Sequence, residues 1–208
     1  MMRRLLSVCA VVLAVAGCAG PAPFADDAEI AAVSYRDGGP PSLTLYTMVN
    51  NRSGSGAHTS LMINASERVI FDPAGSFRAD IVPERNDVLY GITPAVERAY
   101  RSSHARSTHH VVVQTIQVSP EIAELAYHRA LKAGPVAGAF CARSTSEILA
   151  SLPGFEQIQP TFYPNNLRDQ FAKIPGVTTD KQVETDSGDL DAALDAANDA
   201  LNADALTN

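Results

Sequence analysis

Thiols are scarce in this chain. Its 208 residues hold three cysteines, and Cys9 and Cys18 both belong to the apolar N-terminal region. Cys141 is left without a disulfide partner. Long apolar runs are scarce as well, and none after the first 17 residues is long enough to cross a bilayer. The sequence has no basic stripe and no Cys/His group at zinc spacing, which argues against nucleic-acid binding and a structural metal. No cofactor is expected. The formal net charge is -7, and it is unevenly spread. From Thr178 onward Asp180, Glu184, Asp186, Asp189, Asp191, Asp195, Asp199 and Asp204 are opposed only by Lys181. The tail therefore carries all of the net charge, and the body is close to neutral.

The N-terminus points to export. Met1-Met2-Arg3-Arg4 is a short positive stretch, and Leu5 to Val15 is apolar. A basic start, an apolar run of this length and small residues before a cut describe a secretory signal over residues 1–17. Val15-Ala16-Gly17-Cys18 resembles a bacterial lipobox. That resemblance implies a mature chain beginning at Cys18, acylated on its sulfur and amine and held in a membrane. Ala19 after the cysteine implies the outer membrane, facing the periplasm. An uncleaved anchor with an incidental cysteine also fits these residues. Removing the signal leaves roughly 190 residues, enough for one domain with its own core.

Residues 18–41, rich in Pro, Ala, Gly and Asp, read as a tether. The compact body is expected over 42–177. Leu43 to Val49, His58 to Ile63 and Arg68 to Phe71 read as strands joined by turn clusters, forming an antiparallel meander. Phe77 to Ile92 has no clear periodicity. Thr93-Pro94 starts a short helix to about Tyr100, and His110 to Val118 is the strongest strand. Helices are expected from Pro120 to about Lys132, from Cys141 to Leu152 and from Asn165 to Ala172. Residues 178–208 read as an acidic, disordered tail, with Leu190, Leu194 and Leu201 suggesting at most a weak helix. The order of elements fits an α+β fold, an antiparallel sheet packed with helices.

Cys141 stands at the start of its helix. Partial positive charge there and a nearby imidazolium both favour the thiolate, the nucleophilic form of the side chain. The free N–H groups of the first turn are suited to an oxyanion. Burial as a small hydrophobe is the competing reading of a free cysteine. His58 opens a strand after a Gly/Ser-rich turn and is the leading base, with His109-His110 as rivals. His104 and His128 read as solvated positions. If the strands pair antiparallel, Asp72 comes beside His58 and can orient its ring. Asp72-Pro73-Ala74-Gly75 also reads as an ordinary turn in which the Asp caps its own backbone.

Gly56-Ala57-His58-Thr59-Ser60-Leu61, Val69-Ile70-Phe71-Asp72 and Phe140-Cys141-Ala142-Arg143-Ser144-Thr145-Ser146 occur in an order that resembles circularly permuted papain-like domains, relatives of NlpC/P60. In that group the His-bearing sheet precedes the Cys-bearing helix. Phe162-Tyr163-Pro164-Asn165-Asn166-Leu167 resembles the aromatic segment that often follows. The resemblance covers about Ser42 to Gly176. It implies a thiol amidase or peptidase, or an acyl-transfer enzyme, working through an acyl-enzyme. Cys141 would be the nucleophile, His58 the general base and Asp72 the orienting group. Substrates would be peptidoglycan peptides or envelope proteins. Phe140 departs from the pattern, standing where many relatives place a polar residue. Arg143 reads as a carboxylate contact or a solvated charge, and Tyr46 as a cleft wall or a core residue. A non-catalytic envelope lipoprotein, using the scaffold for binding and its acidic tail for docking, is the alternative.

Overall fold

The structure, a computed structural model, describes residues 24–206. The signal segment 1–17 and the lipidation residue Cys18 lie outside the described residues. No helix among the described residues is long and apolar enough to cross a membrane.

The strands are β1 (Ser42–Asn50), β2 (Gly56–Asn64), β3 (Arg68–Phe71), β4 (Glu84–Arg85), β5 (Val88–Leu89), β6 (His109–Gln117) and β7 (Thr178–Gln182). They form one seven-stranded sheet in the order β4-β5-β3-β2-β1-β6-β7, with every pairing antiparallel. The helices are α1 (Asp27–Val33), α2 (Pro94–His104), α3 (Pro120–Ala133), α4 (Cys141–Ala150), α5 (Pro164–Phe171) and α6 (Leu190–Ala205). The molecule is thus α+β, as the sequence pattern indicates.

Side chains of a strand alternate between faces, and here both faces are covered. Leu43, Leu45, Leu61, Ile63 and Phe71 pack under α3, α4 and α5 through Ala126, Ile148, Leu149, Leu167 and Phe171. Tyr46, Met48, Met62 and Ile70 pack on the opposite side, under Val96 and Tyr100 of α2 and Leu194 and Leu201 of α6. Burial on both sides explains why β1 is apolar or threonine-rich almost throughout. Local signals set the helix starts. The side chains of Thr93 and Ser119 accept from Val96 N and Ile122 N, and each is followed by a proline.

Two expectations are corrected. From residue 24 the segment read as a tether lies on the domain. Asp26 and Glu29 make a capping box for α1, and Ile30 and Val33 pack against the first core. The polar, Pro/Gly-rich surroundings concealed these two apolar positions. The acidic tail is also ordered. β7 extends the sheet beside β6, with Thr178 to Gln182 opposite Thr115 to Val111. Helix α6 lies on α2, capped by Asp189, with Leu194 and Leu201 fully enclosed. The exposed Arg78–Asp191 pair at 3.2 Å contributes little by comparison.

Leu194→Ala and Leu201→Ala should each lower the unfolding free energy of the whole domain by about 2–3 kcal/mol in urea melts. A tail free in solution would leave the midpoint where it is.

Candidate active site

Strand β3 is short, and that creates the site. In the β2–β3 register Leu61 lies opposite Phe71, so the next positions along β2 toward its start pair with β1 on one side and have no strand on the other. After Phe71 the chain leaves the sheet, and Asp72 N donates to Asp87 O at 2.8 Å. The backbone of Thr59, left beyond the end of β3, lies close enough to the sulfur of Cys141 to favour its thiolate. The thiol thus occupies the end of an unfilled strand position. It is free of any disulfide and 7 % exposed.

The structure brings Cys141, His58 and Asp72 together. His58 lies beside Cys141, close enough for its ring to act on the sulfur. Its Nε2 lies 2.7 Å from Asp72 Oδ1, which leaves Nδ1 as the ring nitrogen available to the sulfur. Asp72 is 3 % exposed, and its Oδ1 also lies 2.8 Å from the Tyr100 hydroxyl. A carboxylate only accepts, so Tyr100 gives its single proton to Asp72, and the Ser60 hydroxyl 2.7 Å away supplies the donor on the other side. Asp72 therefore holds the His58 ring by a hydrogen bond and also starts its turn, where Gly75 N donates to Asp72 O at 2.9 Å.

The electrostatics follow from these contacts. Burial works against a charged imidazole, but the charge and hydrogen bond of Asp72, aided by Cys141, outweigh it and raise His58 to about 10. Burial likewise raises the Cys141 thiol, and the His58 contact with the N–H groups of Thr59 and Ala142 more than reverses that, holding it below the ordinary value. Burial opposes ionisation of Asp72 too, yet His58 keeps it below the usual carboxylate range. The three groups together favour a thiolate–imidazolium pair over the neutral one.

The start of α4 is left open. Phe140 provides no side-chain cap, and the first helical bond is Ser144 N to Phe140 O at 2.9 Å. Helices α1, α2, α3 and α6 all have side-chain caps. Of the N–H groups in this uncapped first turn, that of Ala142 acts on the sulfur. Ala139, two residues before Cys141, has φ +70°, an unusual backbone state for alanine. The loop is held there by Val136 N, which donates to Asp87 Oδ2 at 2.7 Å, and the same oxygen accepts from Ala74 N at 3.1 Å. Asp87 thus ties the turn of Asp72 to the approach of Cys141. Gly75 is required by close approach, because a Cβ there would lie 1.9 Å from Asp72 Oδ2.

Three participants escaped the sequence reading. Tyr100 looked like the end of a short helix, Asp87 lay in the uninterpreted stretch, and His104 looked solvated. His104 is buried one turn beyond Tyr100, its Nδ1 donating to Tyr100 O at 2.7 Å. Burial lowers it to about 4, so it stays neutral and lies nearly parallel to His58, with ring centres 6.3 Å apart. The Tyr100–His104 spacing within a longer helix was the available signal. The rivals His109 and His110 sit on β6, where His110 Nδ1 meets Asn51 Oδ1 at 2.7 Å. Tyr46 is a core residue bonded to Glu97 at 2.9 Å, and Arg143 pairs with Glu147 at 2.6 Å. Phe140 and Phe162 are half exposed and pack edge to face at 5.2 Å, forming an aromatic wall beside Cys141.

Alkylation of Cys141 should begin to accelerate below the ordinary thiol pKa of ~8.5 and hold its plateau until His58 loses its proton near 10. His58→Ala should move the rise back toward ~8.5; an unmoved profile would mean that the ring does not act on the sulfur. Gly75→Ala, which forces the Asp72 carboxylate aside, should shift the same rise upward by a smaller amount.

Comparison of the chain with family models, curated proteins and solved structures finds no match.

Proposed function

We propose that this chain is a cysteine hydrolase of amide bonds, built on a permuted papain-like, NlpC/P60-related plan. The observation that carries the reading is the continuous contact from Cys141 through His58 to Asp72. The thiolate attacks the carbonyl carbon of the substrate, and its electron pair forms the C–S bond. Negative charge moves to the carbonyl oxygen, for which the open N–H groups at the start of α4 are the assigned donors. As the C–N bond breaks, the His58 imidazolium gives its proton to the departing nitrogen. The neutral ring then takes a proton from water as the water attacks the thioester. The acid is released, and the thiolate–imidazolium pair is restored. Asp72 fixes the orientation of His58 throughout, and Tyr100 and Ser60 keep Asp72 in place.

On the lipobox resemblance at Cys18, we place this activity on the lipid-anchored face of the bacterial outer membrane, toward the periplasm. Peptidoglycan peptides and envelope proteins are the substrate classes. The exposed Phe140–Phe162 wall, pinned to α4 by Thr161 N donating to Ser146 Oγ at 3.0 Å, suits the acyl side of such a substrate. A non-catalytic scaffold has less to support it, because the acidic segment it relied on for docking is packed against α2.

Incubation with peptidoglycan stem peptides should give an acyl adduct on Cys141, read by mass spectrometry, together with free amine. Cys141→Ala should abolish both with the fold intact, and Asp72→Asn should slow turnover by about a hundredfold. Amine release that survives in Cys141→Ala would overturn the assignment.

A further inference from the structure

A cavity of about 300 Å³ adjoins His58 on the side of the sheet covered by α2 and α6. Gly75, His104, His109, Arg106 and Leu190 contribute to its lining, and Cys141 does not. Arg106 is 7 % exposed. Its Nη1 donates to the carbonyl of Ser103 at 2.9 Å, and its Nε is buried without a hydrogen-bond partner. Among the described residues no carboxylate stands within ion-pair distance of it. Asp189 acts on it only through space, with its own side chain engaged in capping α6. A buried guanidinium without a counter-ion is costly, and neither a neutral carbonyl nor a neutral neighbour such as His104 compensates it.

We propose that this cavity is a subsite for a carboxylate on the leaving-group side of the substrate, with Arg106 as the residue that binds it. The inference rests on the hydrolase reading for its direction. The acyl part of the substrate stays on the sulfur, whereas the departing nitrogen takes its proton from His58. A cavity that shares His58 and excludes Cys141 therefore faces the part that leaves. A single planar guanidinium matches the two oxygens of a carboxylate, and His58, held as a cation, adds charge of the same sign. The amine released when the C–N bond breaks is then an amino acid or peptide that carries a free carboxylate close to the scissile bond.

The subsite is tested by alkylation, which does not depend on turnover. Iodoacetylglycine and iodoacetylglycinamide differ only in the carboxylate, and each forms a thioether at Cys141 with loss of iodide. The acid should react about tenfold faster than the amide, relative to the same ratio for a simple thiol. Arg106→Gln should bring the acid-to-amide ratio down to that of the simple thiol, and Arg106→Lys should retain part of the preference. In the wild type, acetylglycine should protect Cys141 from iodoacetamide, and acetylglycinamide should not. Equal rates, a preference that persists in Arg106→Gln, absent protection, or a sulfur reached by neither reagent would overturn the subsite. A carboxylate preference without any acyl adduct from peptides would leave the subsite standing and remove the hydrolase.

Discussion

A carboxylate buried at 3 % exposure has to be compensated, and the site is built around that requirement at Asp72. His58 meets it from one side and Tyr100 from another, so the charge that holds the imidazole in place is itself held by the core. Tyr100 is fully buried between Phe77 and His104, with ring centres 5.1 and 4.6 Å away, and lies under α6. The orientation of the His58 ring therefore depends on packing between α2 and the sheet. A hydrogen bond to an ionised group contributes about 1.5–3 kcal/mol, and losing one partner would leave the carboxylate undercompensated in a dry setting.

The surroundings of Cys141 depend on a different feature, the early end of β3. A longer β3 would pair with the backbone of β2 beside Thr59. Because the chain turns away at Asp72, the amide of Thr59 acts on the sulfur, and the start of α4 adds the N–H of Ala142. Asp87 links the two halves by accepting from both Ala74 and Val136. Backbone states uncommon for side-chain-bearing residues gather in the same region, at Ala74, Asn86, Asp87 and Ala139. Such states persist where surrounding bonds over-determine them, and here those bonds run through Asp87.

The second layer of helices gives the acidic segment its place. Without α6, Leu194 and Leu201 would leave the face carrying Tyr46, Met62 and Tyr100 partly bare. With α6 in place, Leu190 closes one side of the cavity at His58, and Asp189 brings a carboxylate near Arg106 while staying bound to its helix. The tail thus shapes the surroundings of His58.

The sequence by itself determined the strands β1, β2, β3 and β6, the starts of α2 and α3, and the candidate trio Cys141, His58 and Asp72. Those features are local: alternation, turn residues and caps act over a few positions. Tertiary structure decided what the trio is attached to. Tyr100 and His104 became part of the site because α2 crosses the sheet beside Asp72, a contact between residues 28 or more positions apart in the chain. The tail was misread for the same reason. Three leucines among alanines and aspartates make a poor helix alone, and α6 is stable because α2 and the sheet supply the surface that buries them. Pairing a thiol with an imidazole 83 positions before it requires a closed chain, and the end of β3 sets where that closure occurs.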